Sequence, residues 1–196
     1  MTAKPTVLRA VYREIKEGDL RKLNAESNDD PSAGGGARDF RFPASGFDLI
    51  LRQMFTVPDV GARGRPIRTA SVTYLDDLGR TQVTRMEYWP PTESRRTEVR
   101  IAKIHESPAL GGKRLPDTDR GRAFVLFTQY SNGVLRVDYA YEDDLRVSGE
   151  WADEIRNAIL DCLDLADLKN EKRSGNKVTA QGYYEFTTGT GYCHGE

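Results

Sequence analysis

The sequence predicts an α+β fold, mainly β, in which an antiparallel sheet curls into an open barrel flanked by one or two helices. Three observations lead there. Strand-like runs follow one another from Thr69 to Tyr141, and two of their connections, Asp76-Asp77-Leu78-Gly79 and Ser131-Asn132-Gly133, are hairpin turns. Only Trp151–Leu168 carries a long helical period.

Val7–Ile15 is an element whose apolar positions Val7, Ala10, Val11 and Ile15 suit a strand or a short helix. The polar run from Asn24 to Gly36 is a loop by composition. Ala37–Phe42 has a strand period, with Arg38, Phe40 and Phe42 on one face and Asp39 and Arg41 on the other. Phe47–Phe55 places Phe47, Ile50, Leu51, Met54 and Phe55 at helical spacing. Ser71–Tyr74 and Thr81–Trp89 form the first hairpin, Glu98–Ile104 the next strand, and Ala123–Tyr130 with Val134–Tyr141 the second hairpin. In the helix, Trp151, Ile155, Ile159, Cys162, Leu163, Leu165 and Ala166 make the apolar stripe, and Gly182–Phe186 is a last strand.

The length of 196 residues predicts a single domain spanning 1–196, large enough to bury a sizeable core. No apolar run is long enough to cross a bilayer and Met1–Pro5 does not resemble a signal peptide, so a cytoplasmic protein without a membrane partner is expected. The two cysteines, Cys162 and Cys193, make no disulfide framework, and Cys162 on the apolar helix face reads as a packed core thiol.

The formal net charge of −1 hides an uneven distribution. From Arg85 to Arg114 seven Arg and Lys stand against four Glu, a balance of +3. From Arg136 to Lys172 eleven acids stand against five bases, a balance of −6. Such a chain can turn a basic face toward phosphate while staying near neutral, although solvated surfaces also cluster charge.

Catalytic signatures are poorly represented. Asp59, with Asp167 two residues before Lys169, has the residue types of a metal-dependent nuclease, but Asp167 falls on the acidic helix rather than on a strand beside Asp59. Cys162, Cys193, His105 and His194 lack the paired spacing of a metal site. No nucleophile elbow or Walker loop is present, and Gly34-Gly35-Gly36 has no following Lys-Ser/Thr. Those glycines still allow backbone amides close to a phosphate. No enzyme activity, metal or cofactor is expected of this chain.

The most informative stretch is Arg96-Thr97-Glu98-Val99-Arg100-Ile101-Ala102-Lys103. Read as a strand, it aligns Arg96, Glu98 and Arg100 on one face and Thr97, Val99 and Ile101 on the other. Arginine forks clamp guanine O6 and N7 and glutamate accepts from cytosine N4, so this face suits a G·C-rich groove edge. The same alternation also serves an ordinary solvated strand with cross-strand ion pairs.

Two segments together carry a family resemblance. Arg21-Lys22-Leu23-Asn24-Ala25, through Ser27-Asn28-Asp29 and Gly34-Gly35 to Phe42-Pro43, resembles the first DNA-binding arm of the N-terminal effector domain of EcoRII-type (type IIE) restriction endonucleases. Arg96-x-Glu98-x-Arg100-Ile101-x-Lys103 resembles the second arm, in the same order, and Asp117 to Phe124 looks like the element that follows. The chain departs from the pattern at Gly36 or Ala37, where the family has histidine. The resemblance implies a B3-like pseudobarrel, shared with plant transcription-factor domains, gripping the major groove of a CCWGG-like, near-palindromic site as a monomer. It implies no nuclease activity in the domain itself, which would regulate a C-terminal nuclease domain of a bacterial restriction enzyme, here separated from it.

Carried over, the arms span Ser27–Phe42 and Trp89–Lys103, with Arg96, Glu98 and Arg100 as base readers. Arg95, Thr97, Lys103, Lys22, Asn28, Asp29, Gly34, Gly35, Gly36, Arg38 and Arg41 are the other expected contacts to double-stranded DNA. A methyl group on the cytosine beside Glu98 would obstruct the fit. The competing expectations are a small Mg²⁺-dependent nuclease using Asp59 or Asp167 with Lys169, and a protein-interaction module using the acidic helix.

Overall fold

The computed structural model describes residues 5–24, 38–112, 114–147, 149, 151–175 and 177–194. It is α+β and mainly β, and the strand pairings within its parts are antiparallel. The chain forms two compact units, one of residues 1–16 with 117–196 and one of residues 17–116. Among the described residues no helix is long and apolar enough to cross a membrane.

In the first unit, β1 (Val7–Glu14), β7 (Ala123–Tyr130), β8 (Leu135–Tyr141), β9 (Gln181–Glu185) and β10 (Thr190–Cys193) pair in the order β10-β9-β1-β7-β8. Strand β1 is central, with Tyr12 opposite Leu126 on one side and Gly182 on the other. Both of its alternating sets, Ala10 with Tyr12 and Val11 with Arg13, are buried. A strand buried on both faces lacks a clean period of two, which is why Val7–Ile15 reads ambiguously in sequence.

Helix α3 (Glu142–Val147) follows β8 directly, and α4 (Asp153–Glu171) supplies the long helix, beginning and ending slightly later than its periodicity suggests. Its buried residues, Ile155, Ile159, Cys162, Leu163 and Ala166, pack on Ala10, Tyr12, Phe124 and Leu126. The core-thiol expectation for Cys162 is corrected: it is disulfide-bonded to Cys193 across a sequence separation of 31, tying α4 to β10. The helical register puts Cys162 on the buried stripe and β10 delivers Cys193 beside it, a meeting that neither local pattern reveals.

In the second unit, β4 (Pro66–Leu75), β5 (Thr81–Trp89), β6 (Glu98–Ala102) and β2 (Phe40–Pro43) pair in that order, and β3 (Val57–Val60) pairs with β4. Helix α1 (Glu17–Leu23) precedes the arm-like segment, and α2 (Ala44–Met54) follows β2. Regular helix geometry in α2 begins only after Ser45 and Gly46, and Phe47, Ile50, Leu51 and Met54 are buried as their spacing predicts. Phe47 packs on Phe42, their ring centres 5.0 Å apart, and Phe40, Val99, Ile101, Met86 and Tyr88 are buried as well.

The Arg96–Lys103 strand is corrected at both ends. Strand β6 runs only from Glu98 to Ala102; Arg96 and Thr97 occupy a turn, and Lys103 leaves the strand with φ 56°. Ala44 N donates to the Thr97 carbonyl (2.9 Å), which carries the β2–β6 register one step past Pro43 and Glu98 to the end of the turn.

Candidate nucleic-acid interface

Strands β5, β6 and β2 place Trp89, Arg100 and Arg41 in one row, with Glu98 one pleat along and opposite Pro43. Alternation sends Val99, Ile101, Phe40 and Phe42 into the core and leaves Glu98, Arg100 and Arg41 on the opposite face. The sheet core is therefore the floor on which this charged row stands.

Asp39, just before β2, organises the row. Its carboxylate is almost fully buried at 3% exposure. It accepts from Arg100 Nη1 (3.1 Å) and Arg41 Nε (3.2 Å). Arg100 is 11% exposed and its guanidinium lies 5.7 Å from the centre of the Trp89 ring, a cation–π arrangement. The indole N–H of Trp89 donates to Glu87 (3.1 Å). Asp39 and Trp89 together hold Arg100 in place, while Arg41, at 43% exposure, also reaches Glu98 (3.5 Å).

Glu98 stands between Arg41 and Arg95, the latter 3.8 Å away. Thr92 and Arg95 exchange backbone hydrogen bonds and close the loop that carries Arg95 and Arg96. Arg96 is exposed, and among the described residues its side chain has no ion-pair partner. Arg41, Arg95, Arg96 and Arg100 stand here among the carboxylates of Asp39, Glu87, Glu93 and Glu98, so acids and bases are interspersed in equal number. Chemically the face offers exposed forked donors around one oriented carboxylate acceptor.

The other expected contacts are dispersed around this row. Lys22, on α1, binds Asp19 (3.1 Å) and the carbonyl of Asp39 (3.4 Å), which joins α1 to the last residues of the Ser27–Phe42 segment. Arg38 is half-buried, and its carbonyl accepts from Ile104 N (3.1 Å). Burial first, and the charge of Arg38 second, hold the neighbouring His105 below its ordinary pKa. Thr97 is exposed, and Lys103 pairs with Glu106 (3.6 Å). Asn28, Asp29, Gly34, Gly35 and Gly36 lie outside the described residues.

Asp39 and Trp89 are the members of this site that sequence reasoning missed. A signal was present for Asp39: an acid two residues from Arg41 on an edge strand, opposite an arginine-rich strand, is placed for cross-strand pairing.

Both acids of the nuclease expectation are otherwise engaged. Asp59 accepts from Val60 N (2.7 Å) and pairs with Arg85, and these donors lower its pKa. Asp167, in the other unit, pairs with Arg122 (2.7 Å), which also holds Glu142 (2.8 Å). The disulfide removes both thiolates from the Cys/His set. Among the described residues no group of three His, Cys, Asp or Glu is placed to hold a metal ion.

No protein-family model matches the chain, and no curated protein is significantly similar to it.

Proposed function

We propose that this chain binds double-stranded DNA in a sequence-specific manner, reading the major groove with the loop and strand of residues 89–103. The observation that carries the reading is Glu98 standing between Arg41 and Arg95, beside the exposed Arg96, whose side chain has no ion-pair partner among the described residues. An acceptor oriented for cytosine N4 next to a fork suited to guanine matches the donor and acceptors that a G·C step presents.

In this reading Arg96 and Glu98 face base edges, and Arg41 and Arg95 orient Glu98 and neutralise phosphate. Arg100 contributes differently from the sequence expectation: clamped by Asp39 and Trp89, it holds the base of the arm in place. Pairing of β2 with β6 brings the end of the Ser27–Phe42 segment to the foot of the second arm, as two cooperating arms require. The finer fold we propose is the B3-like pseudobarrel, and the role that of an effector module of a type IIE restriction enzyme.

Selection of binding sites from random duplexes, repeated at two salt concentrations, tests the reading. A G·C-containing consensus is expected, together with affinity that falls steeply with salt. Arg96→Ala should then cost roughly 1–3 kcal/mol of specific binding, and Glu98→Gln should relax discrimination at one base pair. Selection that yields no consensus, or an Arg96→Ala variant as tight as wild type, refutes the assignment.

A further inference from the structure

The loop between β3 and β4 reads Gly61-Ala62-Arg63-Gly64-Arg65-Pro66-Ile67-Arg68, with three arginines and no acid. It closes on itself: Gly61 N donates to the Arg65 carbonyl (2.8 Å) and Gly64 N to the Gly61 carbonyl (3.2 Å). Arg63 sits in the left-handed region at φ 63°, a conformation that a side chain with Cβ adopts only where the surroundings enforce it.

The loop is held against the candidate interface itself. A Cβ at Gly61 would stand 2.9 Å from Ile67 Cγ2 and 3.0 Å from Trp89 Cζ2. Only glycine lets the loop lie this close to the indole on which Arg100 rests and after which the second arm departs.

The arginines of this loop also differ from their neighbours in their partners. Arg41, Arg85, Arg95 and Arg100 each meet a carboxylate. Arg63 is exposed and Arg65 half-exposed, and among the described residues neither has an ion-pair partner. Asp59, the nearest acid in sequence, is occupied by Arg85.

We infer that the Gly61–Arg65 loop is a third DNA-binding element that grips the phosphate backbone beside the base-reading arm. The inference rests on the DNA-binding reading above. Guanidinium forks match phosphate oxygens in geometry and charge. Without an ion-pair partner among the described residues, Arg63 and Arg65 supply positive charge and register rather than a second element of base code.

The test is fluorescence anisotropy on a labelled duplex carrying the selected site, titrated over a range of salt, for wild type and for Arg63→Gln/Arg65→Gln. The slope of log affinity against log salt should become shallower by roughly 1.8, about 0.9 for each phosphate that the variant leaves unneutralised, with unchanged base preference. Arg63→Lys/Arg65→Lys should keep most of the slope. Circular dichroism and the urea midpoint should not move, since neither side chain has an ion-pair partner among the described residues.

A wild-type slope in the Gln variant overturns the inference while leaving DNA binding by the second arm intact. A changed preference at one base pair also overturns it, because the loop would then read bases. Failure of wild type to bind any duplex overturns both readings.

Discussion

Replacing Asp39 with alanine removes the one carboxylate that two arginines share beneath the candidate interface. Arg100, 3.1 Å from it and 11% exposed, is left as a nearly buried charge without that counterion. Breaking such a pair by removing one member costs roughly 3–5 kcal/mol, because the remaining charge stays desolvated. Arg41 is 43% exposed and can turn to water or to Glu98, so its share is under about 1 kcal/mol. At about 2–4 °C per kcal/mol for a chain of this size, a loss near 4 kcal/mol lowers Tm by roughly 8–16 °C.

Urea titration and calorimetry on Asp39→Ala, Arg100→Met and the double variant measure the coupling directly. The double variant should recover most of the loss, since the apolar replacement needs no counterion. Asp39→Ala within about 1 kcal/mol of wild type, or a double variant no better than the sum of the singles, refutes the clamp. The outcome also bears on DNA binding. A loss of affinity in Arg100→Ala that Asp39→Ala reproduces reports positioning of the arm, whereas a loss specific to Arg100→Ala reports base contact.

Three further outcomes follow from the packing. Reduction of the Cys162–Cys193 disulfide opens a loop with a separation of 31 and should lower stability by roughly 3.5–4 kcal/mol in the chain-entropy account; an unchanged urea midpoint with and without reductant would count against the bond. Gly182→Ala should cost roughly 1–3 kcal/mol or more, since its Cβ would stand 2.1 Å from the Tyr192 carbonyl and 2.4 Å from the Tyr12 hydroxyl; a wild-type denaturation midpoint refutes that packing. Burial holds His105 below 6.5, so the unfolded chain takes up its proton first. Stability from this group is intact above pH 6.5 and declines as pH falls below it, and His105→Gln should flatten the change in urea midpoint between pH 7.5 and 5.5.

The hairpins, the α4 stripe and the Phe47–Met54 helix face were legible because each follows from a local period matched to burial on one side. Elements without such a period were not. Helix α1 is short and polar, β3 is exposed at every position, and α3 is acidic along its first turn. Strand β10 is short and glycine-bearing, and only pairing with β9 makes it a strand.

The candidate site divides along the same line. Residue order alone determined that arginines and a glutamate alternate along one stretch, with an apolar partner set to anchor them. Only the tertiary structure decided which of those charges stays available. Pairing of β2 with β6 brings Asp39 under Arg100, and pairing of β5 with β6 brings Trp89 beside it, so Arg100 is clamped while Arg96 remains exposed in a turn. The physical reason is that a charge's role depends on its counterion and its solvation. Both are supplied by residues distant in sequence, and no periodicity along the chain encodes which of them will meet.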